Sequence, residues 1–173
     1  MELKTELPES MTAEYEGGVL TLSNGDEVQK KLEHSLVDVE VNGDTVVFSA
    51  DSHKRNVKSI LRTFQAHLEN MIEGLENGHT YRMKGVYAHF PMTVKQEQDK
   101  ILIENFMGER APREIKIMEG VDVSINGDDL ELTGSDKEKV AQTAARIEQA
   151  CYKGDRDPRT FQDGVYIVKG GEE

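Results

Sequence analysis

Two stretches of the chain alternate apolar and polar residues in the same register around the same turn. VEVNGDTVVFSA (residues 39–50) and VSINGDDLELTG (residues 123–134) share Val, Asn, Gly and Asp in place, and stay apolar at Val41/Ile125, Val46/Leu130 and Phe48/Leu132. Asn-Gly flanked by such alternation predicts a tight hairpin, because both central residues of a type I′ turn need positive φ. The period of two turns one face of each strand toward a core.

After each hairpin the period changes to that of a helix. Val57, Ile60, Leu61, Phe64, Leu68, Met71, Ile72 and Leu75 recur at three- and four-residue steps behind Asp51 or Ser52 as a cap, with Lys54, Arg55, Lys58, Arg62, Glu69 and Glu73 on the remaining surface. Val140, Ala144, Ile147 and Cys151 form a narrower stripe behind Ser135 or Asp136. Shorter apolar runs, 19–22 with 28–32 and 101–103 with 115–117, read as paired strands ahead of each hairpin, and Gly17-Gly18 reads as a strand entry. TYRMK from Thr80 and VYIVK from Val165 read as a strand closing each copy. The order is strands, helix, strand, twice. That predicts an α+β fold made by tandem duplication, each module an antiparallel or mixed sheet packed on one helix. The expected domains are 1–79 and 80–173, with a short flexible tail at 170–173.

Composition sets limits on this picture without redirecting it. A chain 36% hydrophobic and 31% charged is ordinary for a globular protein. No apolar run reaches membrane-spanning length, and the first thirty residues lack the charged and apolar regions of a secretory signal, so a cytoplasmic location is the default expectation. Cys151, the single cysteine, reads as a small core residue. His34, His53, His67, His79 and His89 are scattered without metal-ligand spacing, and no GxSxG, P-loop or GxGxxG phosphate cradle occurs. The chain therefore reads as a binding protein with no catalytic residues, no cofactor and no metal.

A net charge of −12 argues against nucleic acid if taken alone. Its distribution says otherwise. Residues 1–78 hold 15 acidic and 7 basic side chains, whereas residues 79–118 hold 5 acidic and 7 basic, and 153–169 hold 3 acidic and 4 basic. Two segments within these stretches stand out. The connection NFMGERAPRE (105–114) carries Arg110 between Gly108 and Pro112 and Arg113 directly after that proline, where copy one needs only the five residues 23–27. The segment YKGDRDPRTFQDGVYIVK (152–169) interleaves Lys153, Arg156, Arg159 and Lys169 with aromatic residues, compensated in part by Asp155, Asp157 and Asp163. By composition it fits a solvated loop or a nucleic-acid contact; arginine in such loops suits bidentate phosphate binding.

The repeat, the SILRTFQAHLENMIEG helix, an AHFPM strand, the ENFMGERAPR loop and above all RTFQDGVYI resemble the archaeal and eukaryotic branch of the ribosomal protein L-six family, over nearly the whole chain. The basic YKGKG run of the bacterial branch survives only as Tyr152, Lys153 and Gly154. The resemblance implies an archaeal ribosomal protein, a structural constituent of the large subunit. Its second domain is expected to bind 23S rRNA near the sarcin-ricin loop and stalk base, where translational GTPases dock. Arg110, Arg113, Lys153, Arg156, Arg159 and Lys169 become the expected phosphate contacts. Phe161 and Tyr166 are expected to pack or stack, and Asp163-Gly164 to turn the chain into its last strand. The acidic first domain is expected to face outward toward neighbouring ribosomal proteins or elongation factors. The alternative from another class is a protein-interaction adaptor whose acidic face recruits basic partners without RNA.

Overall fold

The computed structural model describes residues 1–170 and separates into two compact units, Met1–Asn77 and a second beginning at Gly78. The first unit contains β1 (Glu2–Glu6), β2 (Thr12–Glu16), β3 (Val19–Asn24), β4 (Asp26–Lys31), β5 (Asp38–Asn42), β6 (Thr45–Ser49) and helix α1 (Arg55–Glu76). The second contains β7 (His79–Val86), β8 (Thr93–Glu97), β9 (Lys100–Glu104), β10 (Arg113–Lys116), β11 (Asp122–Asn126), β12 (Asp129–Gly134), helix α2 (Lys137–Ala150) and β13 (Gly164–Gly170). No helix among the described residues is long and apolar enough to cross a membrane.

Each unit has two antiparallel sheets. In the first, β2-β3-β4 is a meander and β1-β6-β5 a second sheet; in the second, the corresponding sheets run β8-β9-β10 and β11-β12-β7-β13. Helix α1 turns Val57, Leu61, Phe64, Leu68 and Met71 onto a core containing Leu20, Leu22, Val46 and Phe48. The Phe48 and Phe64 rings meet edge to face at 6.0 Å. Helix α2 turns Val140, Ala144 and Ile147 onto Met83, Ile101, Ile103, Leu130, Leu132 and Val165.

This topology corrects the expected order of elements. TYRMK does not close the first copy: it lies in β7, whose neighbours β12 and β13 are both in the second unit. The counterpart of β7 in the first unit is β1, which pairs with β6 as β7 pairs with β12. The same bond recurs in both, Leu7 N to Asp44 O and Gly85 N to Asp128 O, each 2.7 Å. A copy is therefore one leading strand, a three-stranded meander, a hairpin and a helix. Strand β13 is an addition found only in the second unit.

Local chemistry explains other departures. The hairpins 39–50 and 123–134 pair Asn42 with Thr45 and Asn126 with Asp129, so the central residues are Gly43-Asp44 and Gly127-Asp128. Only the glycines have positive φ, the pattern of a II′ turn rather than I′. Gly17-Gly18, with both φ positive, is no mere strand entry but the two-residue turn joining β2 to β3. Helix α1 has Lys54 at its N-cap and no side-chain cap; Ser52 Oγ accepts only from Lys54 N, at 3.4 Å, ahead of the helix. In α2, Asp136 caps Glu138 N and Lys139 N. AHFPM is a bend and not a strand; Pro91 has no N–H to give a ladder, and β8 starts at Thr93. Gly170 ends β13, while the rest of the expected tail, residues 171–173, lies outside the described residues.

Candidate nucleic-acid interface

The connection between β9 and β10 is built around one buried ring. Phe106 is fully buried and begins a single turn of 3-10 helix ending at Gly108. Asn105, Met107 and Gly108 flank and complete that turn with φ of 57°, 48° and 76°. Two non-glycine residues held in the left-handed region within three positions make a costly backbone that the surroundings must enforce. The enforcement is visible: Asn105 Nδ2 donates to Pro91 O at 3.0 Å, and Phe106 stays in the core beneath the Arg113 guanidinium, 4.2 Å from the ring centroid.

Arg113 is not a loop residue. It opens β10, paired with Ile103, and its guanidinium is engaged within the fold. Nε and Nη2 donate to the two oxygens of Glu109, each at 2.8 Å, while Nη1 donates to Ala150 O and, at 3.4 Å, to Tyr152 O. Lys153 Nζ adds a third cationic bond to Glu109 at 3.1 Å. Hydrogen bonding from Arg113, reinforced by Lys153, holds the Glu109 carboxyl well below its ordinary value, at about 2. The Glu109–Arg113 pair thus joins the connection 105–112 to the end of α2, and the Glu109–Lys153 bond joins it to the segment that follows.

That segment, 152–163, is a run of turns. Arg156 N donates to Lys153 O, and Thr160 N and Phe161 N both donate to Asp157 O. Asp157 Oδ1 also accepts from Arg159 N at 2.9 Å. The Arg156 guanidinium lies 4.9 Å over the Phe161 ring, and Tyr166 Oη donates to Gln162 O at 2.9 Å. These side chains, with Tyr152, border a cavity of about 130 Å³ whose floor includes Met107 and Cys151. Burial pushes the Cys151 thiol up, which fits a core residue and not a nucleophile.

The six expected contact residues consequently fall into different settings. Arg110 and Arg159 are exposed, and among the described residues neither guanidinium has a hydrogen-bond or ion-pair partner. Arg156 is exposed and stacked. Arg113 and Lys153 are half-buried on Glu109. Lys169 stands in β13 opposite Arg82, next to a β-bulge between Ile167 and Lys169. Gly164 is no turn residue: it begins β13 opposite Val86 and is buried, with room for a Cβ limited by Cys151 Cβ and the Tyr166 ring at 3.3 Å each. Asp163 immediately precedes the strand.

Glu109 is the residue the sequence reading missed. Its four-residue spacing to Arg113 signals an ion pair only on a helix, and nothing in the pattern showed that the chain folds back here. Among the described residues no group of three or more His, Cys, Asp or Glu is arranged to hold a metal ion.

A duplicated α+β module that displays arginines and aromatic rings on a braced, turn-built backbone has the features of a binding protein. Comparison with known proteins makes the class specific. The model of the family "Ribosomal protein L6" matches residues 90–164. The chain is 44% identical over 169 residues to large ribosomal subunit protein uL6 of Haloarcula marismortui, covering 96% of this chain and 94% of that protein. It is 39% identical over 165 residues to uL6 of Methanococcus vannielii, covering 95% and 91%, and 36% identical over 174 residues to uL6 of Methanospirillum hungatei, covering 100% and 99%. The chain belongs to the ribosomal protein L6 family, whose members are structural and not enzymes.

Proposed function

We propose that this chain is a structural constituent of the large ribosomal subunit, and that its second unit anchors on 23S rRNA near the sarcin-ricin loop and stalk base, supporting the region where translational GTPases dock. One observation carries the reading. Glu109 ties Arg113 to Lys153, which joins the connection carrying Arg110 to the segment carrying Arg156 and Arg159. Charged donors on a preset backbone can grip folded RNA through phosphate and 2′-hydroxyl contacts, reading shape rather than sequence. In this reading Arg110, Arg156, Arg159 and Lys169 are the phosphate contacts. Arg113 and Lys153 position them, and Phe161 and Tyr166 hold the shape of the segment. The first unit, with 15 acidic and 7 basic residues before Thr80, faces away from RNA toward neighbouring proteins.

Hydroxyl-radical footprinting of the full chain on large-subunit rRNA tests the placement. Protection concentrated at the sarcin-ricin loop and stalk base is the expected result; protection confined to other regions would overturn it.

A further inference from the structure

The two copies differ at one sheet edge. In the second unit β7 is paired on both sides, with β12 on one and β13 on the other. In the first unit its counterpart β1 is the edge strand of the sheet β1-β6-β5, with no strand on its other side among the described residues.

The equivalence holds at the level of single backbone groups. Backbone groups of successive residues in a strand point to opposite sides. Met1 and Ala50 exchange bonds, the Met1 amine donating to Ala50 O at 2.6 Å and Ala50 N to Met1 O at 2.9 Å. Leu7 N donates to Asp44 O. Odd-numbered residues of β1 therefore face β6, and the N–H and C=O of Glu2, Lys4 and Glu6 face outward. In β7 the matching bond is Gly85 N to Asp128 O, so the outward residues there are Arg82, Lys84 and Val86. Those residues stand opposite Lys169, Tyr166 and Gly164 of β13. The module thus carries, in its own second copy, an antiparallel strand on the edge that the first copy leaves open.

The edge is also accessible and charged. The Glu2 and Lys4 side chains are 50% and 62% exposed, Glu6 is exposed, and the Lys4–Glu2 pair at 3.3 Å leaves Glu6 uncompensated by it. On the outer side of β13, by contrast, Ile167 N is already engaged, donating to Glu148 Oε1 at 3.3 Å. Open edges in folded proteins are sites for strand addition unless something covers them.

We propose that β1 accepts an extended, basic segment of a neighbouring protein as an added antiparallel strand, bonded to the backbone of Glu2, Lys4 and Glu6. The acidic excess of residues 1–78 selects cationic side chains on that segment and disfavours RNA phosphate in the same place.

The inference rests on the chain's place in the large subunit, so its presence in purified subunits is first established by mass spectrometry. Amide hydrogen exchange is then measured on the free full chain and on the assembled subunit. A slowing of about tenfold or more at Glu2, Lys4 and Glu6 on assembly is expected. A benzophenone amino acid at Lys4 should crosslink to protein. Unchanged exchange at these amides, a crosslink to rRNA, or no crosslink would each overturn the proposal.

Discussion

Glu109 and Arg113 form a bidentate ion pair, two 2.8 Å bonds between a carboxylate in an irregular connection and a guanidinium at the head of a strand. Such fork-to-fork pairing fixes orientation as well as distance. Because the same guanidinium reaches the backbone of Ala150 and Tyr152, the pair sets the geometry of two sequence-distant segments at once.

Replacing Glu109 with Gln should cost about 1.5–3 kcal/mol at neutral pH, the range for hydrogen bonds to charged groups, read by urea denaturation. The carboxyl is depressed from 4.5 to about 2 in the folded chain. A depressed carboxyl stabilises the fold fully above its unfolded value, and the contribution fades as pH falls through the folded one. The stability gap between wild type and Glu109→Gln should therefore be complete above about pH 5 and close as pH falls from about 4.5 to 2. A gap independent of pH in that window would show that the pair contributes nothing through its charge.

Arg113→Lys keeps the charge but cannot reproduce two parallel bonds to Glu109 together with those to Ala150 and Tyr152. It should lower stability by about 1–2 kcal/mol. RNA binding should weaken with an unchanged salt slope, as expected of a residue that positions contacts and makes none.

The two helix starts provide an internal comparison. Asp136→Ala removes a carboxylate bonded to Glu138 N and Lys139 N and should cost about 1 kcal/mol. Ser52→Ala touches only a 3.4 Å contact ahead of α1 and should be close to neutral. Chemical denaturation of both variants checks the difference.

Gly134 occupies the place held by Ala50 in the first copy of the hairpin. A Cβ at Gly134 would stand 2.7 Å from the Gly120 carbonyl and 2.9 Å from Val140 Cγ2. Since the first of these is backbone, Gly134→Ala should destabilise by about 1–3 kcal/mol, measured as a lowered denaturation midpoint.

What could be read in advance follows from how much apolar contrast each element carries. The hairpins and α1 were legible because Val46, Phe48, Leu61 and Leu68 make strong periodic signals and are all buried. Strands β1 and β2 were not, because ELKTE and TAEYE alternate between exposed and half-buried positions with Leu3, Ala13 and Tyr15 as their only apolar side chains. The position of TYRMK in the chain, just after α1, suggested a closing strand. Its partners, set by long-range pairing with β12 and β13, show it to be an opening one. At the candidate interface, the arginine-bearing segments were visible as composition. Their division into exposed arginines and a braced pair depends on Glu109, whose role exists only once the chain has folded back on α2.

The central claim is that exposed arginines of the second unit grip RNA phosphate, and the salt dependence of binding tests it most directly. Affinity of the full chain for a large-subunit rRNA fragment should be measured across a range of salt for wild type, Arg110→Ala, Arg159→Ala and Arg62→Ala, the last on the exposed surface of α1. Each of the first two substitutions should reduce the log–log slope by about 0.7 to 0.9, the loss of one phosphate contact, while Arg62→Ala leaves it unchanged. Slopes for Arg110→Ala and Arg159→Ala equal to wild type would contradict the account.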